Sequence, residues 1–148
     1  MRLTKIDESN WEKVAELTTN SDGTPTLYEG FVTGNAYSML QAHFEEGWEI
    51  RAVEEAGELV GFTMFGLSSE EGFYEICRLM IDRKFQNRGL GRKALMLIIE
   101  EMKKSYSLSE IYISAEPENE RGLHLYRSLG FKDTGRILEG EVLLKMDI

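Results

Sequence analysis

The stretch Ile76-Cys77-Arg78-Leu79-Met80-Ile81-Asp82-Arg83-Lys84-Phe85-Gln86-Asn87-Arg88-Gly89-Leu90-Gly91-Arg92-Lys93-Ala94 decides how this chain is read. Its apolar start reads as a strand. Gln86 to Gly91 reads as a short polar loop with two glycines, and the residues after it as the first turn of an amphipathic helix. Such a loop can turn several backbone N–H groups toward one point. The helix adds its unpaired N-terminal donors and its dipole, a setting that suits phosphate or pyrophosphate. Gly89 and Gly91 allow close backbone approach. Arg88, Arg92 and Lys93 add positive charge. No Gly-Lys-Ser/Thr ends the loop, so it is not a Walker loop, and the G-x-G-x-x-G spacing of dinucleotide sites is missing. Alone, a Gly-x-Gly after a strand is also an ordinary turn.

Working outward, the chain reads as an alternation of strands and helices. Arg2 to Ile6 suggests an edge strand. Ser9 or Asn10 can cap a helix through Trp11, Val14, Ala15 and Leu17. Thr24 to Asn35 reads as a loop or a short helical piece. Ala36 to Glu46 reads as a helix with Tyr37, Leu40 and Phe44 at helical spacing. Trp48 to Val53, Leu59 to Leu67 and Phe73 to Ile81 read as a three-stranded meander. Gly91 to Lys104 is an amphipathic helix with Ala94, Leu95, Ile98 and Met102 inward. Ile111 to Ala115 alternates as a strand, and Glu118 to Leu129 is a helix closed by Gly130. Phe131 to Arg136 and Glu141 to Met146 are the last strands. The order is β-α-α-β-β-β-α-β-α-β-β, which predicts an α/β fold with a mixed sheet covered by helices. Val142-Leu143-Leu144 is either a central strand or a face buried in a homodimer.

Composition narrows the function. One domain spanning 1–148 is expected from the length. The net charge of −9 argues against nucleic acid and anionic membrane as partners and suits a cationic small molecule. No apolar run is long enough to span a bilayer, and the first residues lack a signal-peptide core, so a cytoplasmic location is expected. The one cysteine, Cys77, excludes an internal disulfide and lies in an apolar strand, which favours packing. The two histidines, His43 and His124, are too few and too far apart for a metal site, so no metal is expected.

Gln-x-x-Gly-x-Gly after an apolar strand resembles the acetyl-CoA loop of the GCN5-related N-acetyltransferases. The run Asn119-Glu120-Arg121-Gly122-Leu123-His124-Leu125-Tyr126-Arg127-Ser128-Leu129-Gly130-Phe131 resembles that family's second signature, an Asn followed by a helix ending in Leu-Tyr-x-x-x-Gly-Phe. Within the family, Asn35-Ala36-Tyr37-Ser38 and Cys77-Arg78-Leu79-Met80-Ile81-Asp82 look like the Blt-type bacterial spermine/spermidine acetyltransferases.

The resemblance implies the acyl-CoA N-acyltransferase fold, with two central strands, ending near Ile81 and Ala115, splayed to admit acetyl-CoA. It implies acetyl transfer to a polyamine by direct attack, with acetyl-CoA as co-substrate; the alternatives are transfer to another small amine or a protein amine, or a non-catalytic sensor of CoA or polyamine. The pyrophosphate would rest on Gln86, Asn87, Arg88, Gly89, Leu90, Gly91 and Arg92. Leu79, Met80 and Ile81 would lend backbone groups to the pantetheine arm, and Asn119 would hydrogen-bond it or cap the last helix. Tyr126 stands at the position of the general acid that protonates the departing thiolate. Glu75, eleven residues before Gln86, matches the spacing of the family's base glutamate. A carboxylate there can act as base, hold a substrate nitrogen, or simply sit in solvent. An acidic, partly aromatic amine pocket is expected from Tyr28, Glu29, Asn35, Tyr37, Glu45, Glu46 and Trp48.

Overall fold

The computed structural model describes residues 1–148. The chain opens with a short strand, β1 (Arg2–Thr4), and a helix, α1 (Trp11–Glu16). A two-stranded ribbon, β2 (Tyr28–Glu29) and β3 (Val32–Thr33), leads into α2 (Asn35–Phe44). Three strands follow: β4 (Trp48–Glu55), β5 (Glu58–Leu67) and β6 (Tyr74–Ile81). A short 3-10 turn (Arg83–Phe85) and α3 (Leu90–Ser105) lead to β7 (Glu110–Ala115). The chain ends with α4 (Glu120–Ser128), β8 (Lys132–Leu138) and β9 (Glu141–Asp147).

Seven strands make one sheet in the order β1-β4-β5-β6-β7-β9-β8. All pairs are antiparallel except β6 with β7, which α3 joins as a crossover. The expected mixed sheet and element order are therefore met, with one addition. The segment read as a loop or short helix before α2 folds into the β2–β3 ribbon.

The amphipathic pattern of α3 places it on the sheet. Ala94, Leu95, Ile98 and Met102 are fully buried, as the spacing predicts. Leu95, Ile98 and Met102 pack with Ile111, Ile113 and Leu144 of the sheet and Leu123 of α4. Each buried aliphatic side chain there contributes about 1.5–3 kcal/mol.

Two local expectations are corrected and a third, left open between two readings, is resolved. Asn10 occupies the N-cap position of α1 but does not cap it. Its amide instead donates to the Lys5 carbonyl and its oxygen accepts from the Asp7 N–H. On α2, the Tyr37–Leu40–Phe44 stripe faces outward, while Asn35 and Ser38 are buried. The helix is rotated because Met39 and Ala42 pack on the sheet and the Asn35 amide donates to the Val14 carbonyl at 2.9 Å. Leu143 and Leu144 are fully buried on β9, which lies between β7 and β8, so this apolar run is a central strand.

One irregularity shapes the centre of the sheet. Arg78 of β6 pairs with Met64 of β5, and Ile76 with Phe65, leaving Cys77 as an extra residue in a β-bulge. A bulge bends its strand and sharpens its twist. Pairing between β6 and β7 stops at the same place: only Glu75 with Tyr112 and Ile76 with Ile113 are matched. Beyond Ile76 the two strands part.

Candidate active site

Two cavities meet where β6 and β7 separate. The larger, of about 790 Å³, is walled by the β2–β3 ribbon, α2, the β5–β6 loop and the β8–β9 turn. The smaller, of about 490 Å³, lies between the loop after β6 and the helices α3 and α4. Leu79, Ile81, Gln86, Asn119 and Tyr126 line both, so a ligand can reach from one into the other. The expected splay of two central strands is present, and it begins at the Cys77 bulge.

The smaller cavity is built around the polar loop. Gln86 does not point away from the protein; its amide donates to the Ile81 carbonyl at 3.0 Å and ties the loop to the end of β6. Asn87 and Gly89 adopt positive φ, 64° and 73°, which turns the chain abruptly into α3. The Arg88 guanidinium lies over the Phe85 ring at 5.5 Å and donates to the Lys84 carbonyl. Arg92 donates to the Ser128 hydroxyl at 2.8 Å, linking α3 to α4. A Cβ on Gly91 would meet only Leu125 and Ile81 atoms, at 3.8 and 3.9 Å. Nothing in the protein itself demands glycine at this position, although glycine disfavours a helix. The space above it is left open to a ligand. Leu90 is buried and anchors the start of α3.

On the far wall, the Asn119 side chain accepts from the Gly122 N–H at 3.0 Å and caps α4. A Cβ at residue 122 would lie 2.6 Å from the Asn119 amide nitrogen, so that flexible side-chain end would have to shift to make room for it. One turn further, Tyr126 packs edge-on to Phe131. Burial, and secondarily the Glu141 charge, push its phenol up to about 12, so it is a neutral donor at physiological pH. Leu79 and Ile81 border both cavities. The Met80 side chain turns the other way and packs with Phe62, leaving its backbone as the part nearest the gap.

The larger cavity is acidic. Glu45, Glu70, Glu71, Glu75, Glu139 and Glu141 line it, with Arg78 as the one basic side chain among its lining residues. Glu75 is 9% exposed, and burial raises its carboxyl to about 7; the Glu71, Glu141 and Glu139 charges push the same way, while Arg78 opposes them. It is thus poised to exchange a proton near neutrality. Cys77 lies next to it, but burial pushes its thiol up to about 12, which fits a packing residue rather than a nucleophile.

The structure divides the expected amine-pocket residues. Glu45 and Trp48 line the cavity and touch each other, the indole N–H donating to the Glu45 carboxylate at 3.0 Å. Glu29 is 2% exposed and does not face the cavity. Its carboxylate accepts from the Thr18 hydroxyl, from the Thr19 N–H and hydroxyl, and from the Thr26 N–H, so its acceptors serve the loop before α2. Asn35 is buried against the end of α1. Tyr28, Tyr37 and Glu46 are exposed, and the two tyrosine rings lie 6.4 Å apart outside the cavity lining. Glu70, Glu71, Glu139 and Glu141 were missed by sequence reading. They sit in the β5–β6 loop and around the β8–β9 turn, and only the strand order brings these together.

Comparison with known proteins agrees with this architecture. The acetyltransferase (GNAT) family pattern matches residues 11–131. A spermine/spermidine N(1)-acetyltransferase of Bacillus subtilis (strain 168) is 32% identical over 99 residues, which is 62% of this chain and 65% of that protein. The chain therefore spans just under two thirds of this relative's length. Among solved structures, a spermidine N-acetyltransferase from Vibrio cholerae in complex with CoA and spermine superposes with a TM-score of 0.72 at 18% identity, covering 99% of this chain and 94% of that one. An aminoglycoside acetyltransferase in complex with coenzyme A superposes with a TM-score of 0.75 at 18% identity, covering 98% and 93%. With the family pattern running across the loop, the gap and the Asn119–Phe131 helix, the chain belongs to the GNAT acetyltransferase family.

Proposed function

We propose that the chain transfers an acetyl group from acetyl-CoA to a primary amine of a polyamine such as spermine or spermidine, by direct attack. The observation that carries the acceptor class is the charge of the larger cavity: six glutamates and one arginine, at the end of the gap away from the Gly-x-Gly loop. Ammonium groups spaced along a flexible chain match such a surface. The polyamine name of the Bacillus relative supports the same reading.

The residues present fit acetyl-CoA. The loop and the start of α3 offer main-chain N–H groups to a pyrophosphate, and the open space over Gly91 admits it closely. Past Ile76, the side of β6 that faced β7 has no partner strand, so the backbone groups that Leu79 and Met80 turn toward the gap can meet the pantetheine amides, while the Ile81 carbonyl is taken by Gln86. When bound, acetyl-CoA supplies a thioester whose carbonyl accepts the amine and whose thiolate departs. Glu75 takes the proton that a polyamine nitrogen must lose, directly or through water. Tyr126, a neutral phenol at the junction of the cavities, donates toward the departing sulfur. The thiol of Cys77, which burial keeps protonated, takes no part in the proposed direct transfer.

The test is mass spectrometry of spermine, spermidine, glucosamine and a peptide after incubation with acetyl-CoA and the protein. Acetylated polyamine is the expected product. Acetylation of another amine alone would keep the reaction and overturn the acceptor.

A further inference from the structure

The Cys77 bulge has a second effect. Residues 75 and 78 of a regular strand would face opposite sides of the sheet. Here Glu75 pairs with Gly66 and Arg78 with Met64, two residues apart on β5, so both face the same side. The inserted residue thus brings a guanidinium into the cavity that holds the buried carboxylate. Arg78 enters no ion pair with the surrounding glutamates. Its guanidinium donates to the Gln41 side-chain oxygen at 3.0 Å, to the Cys77 carbonyl and toward the Cys77 sulfur. Gln41, a neutral residue on α2, holds the charge in place without cancelling it.

Resting on the acceptor reading above, we propose that Arg78 is a positioning residue: its guanidinium partly offsets the glutamates at the Glu75 end of the cavity, so that Glu75 ionises and the amine beside it gives up its proton more readily than without it, while the other glutamates hold the distant ammonium groups. A cation beside an amine disfavours its protonation, and beside a carboxyl favours ionisation. The groups that act on Glu75 come from every side: Arg78 on β6, Glu71 before it, and Glu139 and Glu141 at the β8–β9 turn. Arg78 is the one that opposes the rest. The reacting nitrogen is thereby directed to the end of the acidic cavity that holds its one cation and its buried carboxyl, and this orients a polyamine lengthwise.

Two readouts on the Arg78→Gln and Arg78→Lys variants test this. NMR titration of the Glu75 carboxyl carbon in the free protein reads the coupling without substrate. Arg78→Gln is expected to move it upward by roughly 0.5–1 pH unit and Arg78→Lys to leave it near wild type. The pH profile of kcat/KM for spermidine should shift its acidic limb upward by a similar amount. Activity would then fall about three- to ten-fold near neutrality and recover at high pH. An unmoved Glu75 titration, or a loss of kcat/KM equal at every pH, would overturn the proposal. If wild type acetylates no polyamine, the acceptor reading fails, and the amine half of this proposal fails with it. The Glu75 titration then separately decides whether Arg78 governs that carboxylate.

Discussion

Glu75 on β6 and Tyr126 on α4 line one cavity from the two sides of the gap between β6 and β7. One group releases or takes a proton near neutrality, and the other keeps its proton to about pH 12. A base and an acid with separated affinities, placed together, are what acetyl transfer to an amine requires.

Tyr126→Phe removes the donor and leaves the ring packed on Phe131. Turnover is expected to fall about 100-fold, with acetyl-CoA binding within about two-fold of wild type. Steady-state kinetics beside calorimetric titration with acetyl-CoA check this. Unchanged turnover would remove Tyr126 as the acid.

Glu75 also leaves a signature in stability. Its carboxyl lies near 7 in the folded protein, against an ordinary value of 4.5. The folded state therefore holds this proton more tightly than the unfolded chain. Its contribution is fully favourable below about pH 4.5, declines as pH rises toward about 7, and is level above that. Glu75→Gln should stabilise the protein by about 1–3 kcal/mol near pH 8 and little near pH 4, while lowering turnover. Denaturant melts at the two pH values give the difference; equal effects at both would contradict a raised carboxyl.

Gly91→Ala separates ligand approach from folding. The added Cβ meets only ordinary contacts at 3.8 and 3.9 Å, and alanine favours a helix by up to about 1 kcal/mol over glycine. Thermal stability should hold or rise, while acetyl-CoA affinity drops about ten-fold or more. Unchanged affinity would mean the pyrophosphate does not pass over Gly91.

Glu29→Ala tests the reassignment of that carboxylate to structure. It loses hydrogen bonds from Thr18, Thr19 and Thr26. A loss of about 2–4 kcal/mol is expected in chemical denaturation. Below the melting temperature, KM for a polyamine should stay near wild type. A selective rise in KM with unchanged stability would return Glu29 to the amine site.

The sequence is legible where a local period or motif carries the information. The α3 face, the Gly-x-Gly loop and the Asn119–Phe131 helix all repeat or cap locally, and the fold class follows from their order. Two things were not legible. The Cys77 bulge depends on how β6 registers against β5, which no periodicity in Tyr74–Ile81 betrays. With it were hidden the point where the strands separate and the shared face of Glu75 and Arg78. Glu139 and Glu141 were equally hidden, because β9 inserts between β7 and β8 and so brings the turn to a cavity far from it in sequence. The α2 stripe misled in the other direction. Tyr37, Leu40 and Phe44 have helical spacing, yet the polar anchor Asn35 sets the rotation of the helix and turns them outward.

The most direct test of the central claim is CoA release from acetyl-CoA with spermine, spermidine and a monoamine of similar length, measured with a thiol reagent. Turnover is expected with the polyamines, and at least ten-fold lower kcat/KM with the monoamine, because the monoamine's tail offers nothing to the cavity's glutamates. Equal kcat/KM for all three, or turnover with the monoamine alone, would contradict it.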